Sequence, residues 1–481
     1  MIDWDESTFI LMGQSLLDGE LLYRDLWDLK PPLIFVSFAL FIKLFGKSVI
    51  AVRVGGAVCV LLSAVLTYYI GRKAFGRISA ALAGATFILV ASLLHGGQAT
   101  LTEHIALVPL LGGVLILLSR SFSLRLMLAL GALISAAALV RLNLAYVAVL
   151  VGGIVVFHPS HEYIPARIMA GAAYAAGGLG VVALTALPYV ISGEGDLWWM
   201  SLVVAPLAYA GAQPPLDAFL KLVGGYFQRG DAAFWFGSLF FTLSLGSMGW
   251  AISRLTVKGS ENKGEIAIVV IVTMGIGMTL VKGGAYWHYL LQIAPFLSLF
   301  AAAGLERSLC SRFFAPTALI FLVVVALALR PTYWEYRVLA ARAAAGEALT
   351  HGTAYEIADY VASLRLADYT MFLMSDHVVY WLLDKPLPTR MAHPSNLFKP
   401  YLLRLVRGPD ATPITETAAI FDRAPTIVVK RIDEWYLRDF PVERQYIEKR
   451  LENYDLVRVI GTRQIYRIRD AAPKGSSKAK P

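Results

Sequence analysis

Ten long apolar runs constrain this chain more than any other feature of its sequence. Each run has about 15–24 residues, and at 1.5 Å per residue such a helix is of the length that crosses the hydrocarbon core of a bilayer. The chain has 481 residues, of which 57% are hydrophobic and 16% charged. Soluble domains average about 45–50% apolar and about 25% charged residues. The sequence therefore predicts a polytopic α-helical membrane protein and excludes a soluble enzyme, a disordered chain and a secreted disulfide scaffold. The runs are 50–71, 78–95, 103–119, 123–140, 143–158, 167–190, 234–254, 265–283, 286–304 and 313–330.

An eleventh apolar run, 33–46, follows Lys30-Pro31-Pro32 and is shorter than the others. About 14 residues of helix reach roughly 21 Å, which is less than a hydrocarbon core of about 30 Å. We therefore expect this run to lie in the membrane interface, or to enter the membrane and return, instead of crossing it. Residues 1–30 are then on the exported side.

Basic residues cluster in alternate loops between the apolar runs. Loops rich in Lys and Arg stay in the cytoplasm, so this pattern places the acidic loop 191–233 and everything after residue 330 on the exported side. The formal net charge of +9 is accounted for by these loops, and we expect no nucleic-acid partner. The cytoplasmic loops carry Arg72, Lys73 and Arg77; Arg120 and Arg125; Arg254, Lys258 and Lys263; and Arg307 and Arg312.

The region after the last run reads as a small exported domain of mixed α/β class. Its pattern predicts helices over 354–364 and 442–453 and strands over 370–375, 425–430, 456–460 and 464–468. The last two strands are too close in sequence for a parallel crossover. We expect this domain to shape or cover a membrane site without contributing chemistry. The predicted domains are 1–47, a first exported loop; 48–330, the membrane domain; 335–470, the exported domain; and 471–481, a flexible basic tail.

Two adjacent acids, Asp5 and Glu6, open a segment whose spacing predicts an amphipathic helix over 5–19, ending at Gly19. One interpretation is structural: Asp5 caps the helix and Glu6 favours its dipole. The other is functional: a carboxylate at a membrane surface accepts a proton from an acceptor hydroxyl. Lys30 likewise is either a snorkelling cation or a counter-ion for a lipid-linked phosphate.

A second exported acid, Glu103, begins an apolar run after Thr102, which is a candidate helix cap. Arg141 and Asn143 interrupt two short runs, and the polar segment from Lys282 to Tyr289 opens another. Ionisable residues at such depth usually mark a site, although Arg141 is equally compatible with snorkelling at the interface. No His, Asp, Glu or Cys cluster with metal-ligand spacing is visible, and no metal is expected.

These residues, taken together, resemble those of GT-C glycosyltransferases, in particular the bacterial branch of the protein O-mannosyltransferase family. That branch includes aminoarabinose and galacturonic acid transferases that act on lipopolysaccharide. The similar segments are Asp5-Glu6, Asp18-Gly19-Glu20, Tyr23-Arg24-Asp25 and Lys30-Pro31-Pro32 of the first loop, Glu103 of the second, His288 to Pro295, and Tyr380 to Pro394.

The resemblance implies a GT-C fold and a reaction at the periplasmic face of the bacterial inner membrane. A sugar passes, with inversion, from a polyprenyl-phosphate donor to a lipid, glycan or protein acceptor. No cofactor beyond this lipid-linked co-substrate is expected, and the use of a divalent metal is left open. By resemblance, the catalytic residues are Asp5, Glu6 and Glu103, the donor phosphate is bound by Lys30 and Arg53, and the cleft is lined by Tyr23, His104, His288 and Tyr289.

Two alternatives stay open beside the glycosyltransferase. One is a transporter or flippase of lipid-linked sugars, although the sequence shows no two-half symmetry of the kind common in transporters. The other is a non-catalytic membrane protein with the same fold. The family pattern has a membrane helix before the first loop, which this sequence does not show ahead of Asp5; an apolar stretch of about 20 codons in frame upstream of residue 1 would supply it.

Overall fold

The computed structural model describes residues 2–94, 96–119, 123–158, 163–211, 232–257, 259, 261–281, 286–311 and 314–469. The tail 471–481, residues 212–231 of the acidic loop 191–233, the basic residues Arg120, Lys258 and Arg312, and Lys282 with 283–285 therefore lie outside the described residues.

The chain forms two compact units. Residues 29–349 form one, called here the membrane unit, and residues 1–28 with 350–481 form the other, called the soluble unit. This division differs from the predicted domains, which joined residues 1–28 to 29–47. Backbone hydrogen bonds explain the difference, because the N–H of Trp27 donates to the carbonyl of Arg390 at 2.6 Å and the N–H of Ala392 donates to the carbonyl of Trp27 at 3.0 Å.

The soluble unit begins with helix α1, Trp4–Leu17. Asp3 is its cap: one carboxylate oxygen accepts from the backbone N–H of Asp5 at 2.9 Å and from that of Glu6 at 3.4 Å. The structural interpretation of Asp5 as the cap is therefore wrong. The predicted stop at Gly19 is confirmed, since this residue follows the helix with φ +86°, a conformation that costs glycine little. The helix is not amphipathic over its central two turns, because residues 6–13 are all buried.

The membrane unit is built from helices and contains no strand in its described residues. Five helices in the described chain are long and apolar enough to cross a membrane: 49–74, 164–191, 236–256, 263–280 and 318–344. The helices are α2 Pro32–Phe45, α3 Val49–Ala74, α4 Arg77–Leu93, α5 Thr102–Leu117, α6 Leu124–Val140, α7 Ala145–Phe157, α8 Ile164–Ile191, α9 Gly195–Trp199, α10 Ala205–Gly211, α11 Ala232–Thr256, α12 Lys263–Val281, α13 Ala294–Leu309 and α14 Phe314–Ala344.

The predicted apolar runs correspond closely to these helices, which confirms a multi-pass helical membrane protein. The shorter apolar helices α2, α4, α5, α6 and the segment Leu142–Phe157 have 10–17 residues each. The largest discrepancy is the run 286–304, which is not one helix. A 3-10 helix, Trp287–Gln292, precedes α13, so the polar start of the run is separate from the apolar helix. Helix α14 also continues past the predicted end at 330.

The rest of the soluble unit is a small α/β fold, as predicted. Strands β1 Met371–Leu373 and β2 Ile427–Arg431 are parallel, and β3 Tyr454–Ile460 and β4 Arg463–Ile468 form an antiparallel hairpin. The sheet order is β1-β2-β4-β3, with β2 and β4 antiparallel. The helices are α15 Thr353–Ser363, α16 Val379–Leu382, α17 Pro400–Arg407, α18 Pro413–Asp422 and α19 Pro441–Leu451.

Candidate functional site

The predicted site residues are divided between the two units. Asp5, Glu6 and Tyr23 belong to the soluble unit, and Lys30, Arg53, Glu103, His104, His288 and Tyr289 belong to the membrane unit.

In the soluble unit, Asp5 lies at the centre of a group that we call the Asp5 cluster: Trp4, Asp5, His377 and His393. An oxygen of the Asp5 carboxylate lies 3.7 Å from Nε2 of His393, and the Asp5 side chain is 23% exposed. Glu6, the next residue, is fully buried. Of the two predicted acids, Asp5 is therefore the one whose carboxylate a substrate can reach.

The aromatic ring of Trp4 holds the two histidines of the cluster. Its centroid lies 5.7 Å from that of His393 and 6.2 Å from that of His377. Nε2 of His377 lies 2.8 Å from the hydroxyl of Thr8, one turn along α1. Burial, reinforced by the neighbouring His393, lowers the pKa of His377 well below its usual range. His377 is therefore neutral at pH 7.

Sequence reasoning missed both histidines as site residues. His377 follows the carboxyl end of β1, and His393 precedes a 3-10 helix, Pro394–Phe398, so both are placed by the α/β part of the soluble unit. The expectation that this domain shapes or covers a site without contributing chemistry stays a prediction. A signal existed for His393, which lies in the segment Tyr380 to Pro394 that resembles the family, whereas no motif pointed to His377.

Tyr23 is fully buried and has φ +66°, an uncommon conformation for a residue with a side chain. Its carbonyl accepts a hydrogen bond from the Arg390 guanidinium at 2.8 Å. The carbonyl of the same arginine accepts the backbone N–H of Trp27, so Arg390 helps to fix the first loop within the soluble unit. A cleft-lining role for Tyr23 stays a prediction.

In the membrane unit, Glu103 belongs to a buried polar group that we call the Glu103 network: Thr102, Glu103, Arg141, His288 and Gln292. Nη1 of Arg141 lies 2.6 Å from Oε1 of Glu103, and the two side chains are 7% and 0% exposed. The hydroxyl of Thr102 bonds to both side chains. It accepts a hydrogen bond from Nη1 of Arg141 at 2.8 Å and donates one to Oε2 of Glu103 at 3.0 Å. Thr102 is not the cap of α5, which begins after Leu101.

The guanidinium of Arg141 makes further contacts besides those with Glu103 and Thr102. Its Nε donates to Oε1 of Gln292 at 2.7 Å, and its Cζ lies 4.1 Å above the ring of Tyr289. Gln292 in turn donates to the hydroxyl of Thr279 at 2.7 Å. The snorkelling interpretation of Arg141 is therefore wrong. Charged groups this deep are costly unless they are paired and hydrogen-bonded, and here they are both.

Three predicted residues lie beside Glu103. Nε2 of His288 is 3.9 Å from Oε1 of Glu103, and the ring of His288 packs edge-on against Tyr289 with 4.9 Å between centroids. His104 is buried, and its Nδ1 accepts the backbone N–H of Leu101 at 3.2 Å. His104 thus stabilises the start of α5 and fixes the backbone that carries Glu103.

The loop before Glu103 is held against α3 by a close approach. The hydroxyl of Thr100 donates to the carbonyl of Val52 at 3.1 Å. A side chain at Gly56 would collide with Thr100, so glycine at this position lets the loop reach the helix. This contact positions Glu103 relative to the first turns of α3.

Lys30 and Arg53 are the predicted phosphate ligands. Both are partly buried; Lys30 immediately precedes Pro31 and α2, and Arg53 lies in the second turn of α3. Helices α2 and α3 pack against each other. Binding of phosphate by these two cations stays a prediction.

Among the described residues, no group of three or more His, Cys, Asp or Glu side chains has a geometry that could hold a metal ion. The expectation of a metal-independent site is not tested by this observation.

Comparison with known families gives one match within the chain. The family described as dolichyl-phosphate-mannose-protein mannosyltransferase matches residues 29–190, about a third of the sequence. This segment includes Lys30, Arg53, Glu103 and Arg141. No protein of curated function matches the sequence.

Solved structures are similar to nearly the whole chain. ArnT from Cupriavidus metallidurans bound to undecaprenyl phosphate has a TM-score of 0.59 at 14% identity, covering 97% of this chain and 94% of that one. Its apo form has a TM-score of 0.60 at 13% identity, covering 97% and 93%. The oligosaccharyltransferase of Archaeoglobus fulgidus in the apo form has a TM-score of 0.51 at 11% identity, covering 89% and 66%.

These similarities confirm the predicted GT-C fold and the predicted resemblance to GT-C glycosyltransferases. At 11–14% identity the structural likeness concerns the fold. Taken with the family match, it indicates a membrane enzyme of the glycosyltransferase class.

Proposed function

We propose that this chain transfers a sugar, with inversion, from a polyprenyl-phosphate donor to an acceptor at the periplasmic face of a bacterial inner membrane. The observation that carries the proposal is the environment of the Asp5 carboxylate. Its carboxylate is partly exposed, is not used as a helix cap, and faces the imidazole of His393. A carboxylate held in this way suits a general base.

The chemistry assigned to Asp5 is a single displacement. A hydroxyl of the acceptor attacks the anomeric carbon of the donor sugar as the bond between that carbon and the phosphate oxygen breaks. The proton of the hydroxyl passes to Asp5, and the polyprenyl phosphate leaves with the bonding electron pair. Attack from the face opposite the phosphate inverts the anomeric carbon.

The membrane unit supplies the remaining roles in this proposal. Lys30 and Arg53 bind the donor phosphate and stabilise the charge that develops on it as the bond breaks. Glu103 positions donor or acceptor and is itself paired with Arg141. His104, His288 and Tyr289 line the lipid cleft beside it.

The names of the similar proteins support the donor class. ArnT has been solved with undecaprenyl phosphate bound, and the matching family is described by a dolichyl-phosphate-linked mannose donor. A soluble unit on the periplasmic side agrees with the loop charges of the sequence.

The test is a donor-consumption assay with the full chain in lipid nanodiscs. Undecaprenyl-phosphate-linked mannose, galacturonic acid and aminoarabinose are each supplied with membrane extracts as acceptor, and free undecaprenyl phosphate is measured by mass spectrometry. Release of undecaprenyl phosphate, with the sugar recovered on an acceptor fraction, is the expected result with at least one donor.

A parallel experiment in proteoliposomes separates transfer from transport. The same donors are placed in one leaflet, and their movement to the other is followed with an impermeant reagent that oxidises the sugar. Movement without release of undecaprenyl phosphate would favour a flippase. Neither movement nor release with any donor would favour a non-catalytic protein with a GT-C fold.

A further inference from the structure

His393 and Asp5 form a histidine–carboxylate pair within the soluble unit. Nε2 of His393 lies 3.7 Å from Oδ1 of Asp5, and the two side chains are 14% and 23% exposed. The pair joins the first turn of α1 to the segment that follows α16, which is separated from α1 by most of the sequence. Hydrogen bonds of catalytic pairs are often long in the absence of substrate.

The tautomer of His393 follows from its other nitrogen. The backbone N–H of Ser395 donates to Nδ1 at 3.3 Å, and the hydroxyl of Ser395 lies 2.9 Å from the same atom. A backbone N–H can only donate, so Nδ1 presents its lone pair. In a neutral imidazole the single proton is then on Nε2, the nitrogen that faces Asp5.

The second histidine of the Asp5 cluster is oriented differently. The hydroxyl of Thr8 donates its proton to the carbonyl of Trp4 at 3.0 Å. The Thr8 oxygen therefore presents a lone pair to Nε2 of His377, which lies 2.8 Å away. The N–H on Nε2 of His377 is therefore directed at Thr8. The rings of His377 and His393 are 5.8 Å apart. His393 is thus the histidine whose N–H is directed at the carboxylate of Asp5.

Packing limits the movement of the His393 ring. The Trp4 ring lies against it, and Trp4 is itself held by Trp435 at 6.1 Å and Tyr436 at 5.7 Å between centroids. His393 also begins the 3-10 helix Pro394–Phe398, so its backbone is fixed. A ring fixed in this way can determine the orientation of a carboxylate beside it.

We propose that His393 is a positioning residue for Asp5, whose Nε2–H holds Oδ1 so that Oδ2 is directed at the acceptor hydroxyl. This inference rests on the proposed function of Asp5 as the base. His393 acts only through Asp5. Metal ligands are oriented in a similar way, by a hydrogen bond from a residue that does not itself touch the metal.

Three variants of His393 in the full chain separate donation of the N–H from other roles. The amide nitrogen of His393→Gln can reach the position of Nε2 and donate to Asp5. His393→Asn is shorter and reaches only the position of Nδ1, and His393→Ala removes both. The probe is the undecaprenyl-phosphate-linked sugar that the wild-type protein consumes in nanodiscs, with kcat and KM measured separately.

We expect kcat to fall about 10–100-fold in His393→Ala and His393→Asn, because a displaced catalytic group costs rate more than binding. KM for the donor stays within about twofold. His393→Gln recovers most of the lost kcat. Equal loss in all three variants, with unchanged melting temperatures, would contradict N–H donation and assign the role to the imidazole ring. Wild-type kcat in all three would remove His393 from the reaction.

A measurement that does not depend on activity keeps the inference separate from the proposed function. In spectra of protein labelled with 15N-histidine, the His393 signals are assigned by their loss in His393→Gln. We expect a protonated Nε2 and an unprotonated Nδ1, and a shift of the Nε2 resonance in Asp5→Asn. This result with no donor consumed would overturn the proposed function alone. A protonated Nδ1, or no response to Asp5→Asn, would overturn the pairing.

Discussion

The carboxylate of Asp3 accepts a hydrogen bond from the backbone N–H of Asp5 at 2.9 Å. This bond caps α1 and leaves the carboxylate of Asp5 out of the cap. Two acids that are two residues apart therefore have different roles, and only one of them is needed to start the helix. The chain consequently offers Asp3 as an internal control for every experiment on Asp5.

The buried ion pair of Glu103 and Arg141 predicts a strong effect on stability. Arg141→Met leaves the Glu103 carboxylate buried without its cation, which costs about 3–5 kcal/mol when such a pair is broken. We expect a large drop in the melting temperature of the detergent-solubilised protein. Glu103→Leu combined with Arg141→Met removes both charges and recovers a substantial part of the loss.

The control for this prediction is Arg125→Gln, at the exposed amino-terminal end of the helix that Arg141 follows. An exposed arginine contributes little, so its melting temperature stays near that of the wild-type protein. The single variants Arg141→Met and Glu103→Leu are measured as well. If the drop in melting temperature of the double variant equals the sum of the two single drops, Glu103 and Arg141 do not stabilise each other.

Lys30 predicts an effect on donor binding. Replacing Lys30 by Met keeps the apolar stem and removes the charge assigned to the donor phosphate. We expect KM for the undecaprenyl-phosphate-linked sugar to rise about 10-fold or more, since a charge-assisted hydrogen bond contributes about 1.5–3 kcal/mol. Lys43→Met, in the last turn of helix α2, which begins just after Lys30, is the matched control. Equal KM values in the two variants would exclude Lys30 from phosphate binding.

Glu434 predicts a pH-dependent stability of the soluble unit. Burial raises the pKa of its carboxyl to about 7, from an ordinary value of 4.5. Between these two pH values the folded state holds a proton that the unfolded state releases. The stabilisation from this proton is fully present below about pH 4.5 and is lost as the pH rises through about 7. Glu434→Gln stays neutral at every pH. We therefore expect the melting temperature of this variant, minus that of the wild-type protein, to increase from pH 5 to pH 8.

The exposed Glu452 supplies the comparison, and Glu452→Gln is expected to follow the wild-type curve. The low pKa of His377 makes stability rise with pH, which is opposite to the effect of Glu434. His377 is present in all three proteins, so its contribution cancels when their melting temperatures are subtracted. Parallel curves for Glu434→Gln and wild type across this range would show that Glu434 ionises normally.

The elements of the fold were predictable because apolar runs and turn residues are local signals. The observed bounds of α3, α6 and α8 lie within a few residues of the predicted runs. The cap of α1 was assigned to the wrong acid, since Asp3 and Asp5 are both competent caps by residue type. Only the backbone geometry distinguishes them.

The partners of the site residues were not predictable from the sequence. The approach of His393 to Asp5 and that of Gln292 to Arg141 join segments that are far apart along the chain, and no periodicity encodes such pairs. Arg141 was visible as a charge within an apolar region, but its burial depends on Glu103 and Thr102 being placed opposite it. Sequence identified the unusual residues, and tertiary packing determined what each one contacts.

The rate of donor consumption in Asp5→Asn, measured beside Asp3→Asn, tests the central claim most directly. Asparagine caps a helix about as well as aspartate, so Asp3→Asn keeps α1 and removes one negative charge close to Asp5. The account predicts that Asp5→Asn lowers release of undecaprenyl phosphate by about 10²–10⁴-fold, the contribution of a general base, while Asp3→Asn stays within about twofold of wild type. Release at the wild-type rate in Asp5→Asn would contradict the assignment of Asp5 as the base.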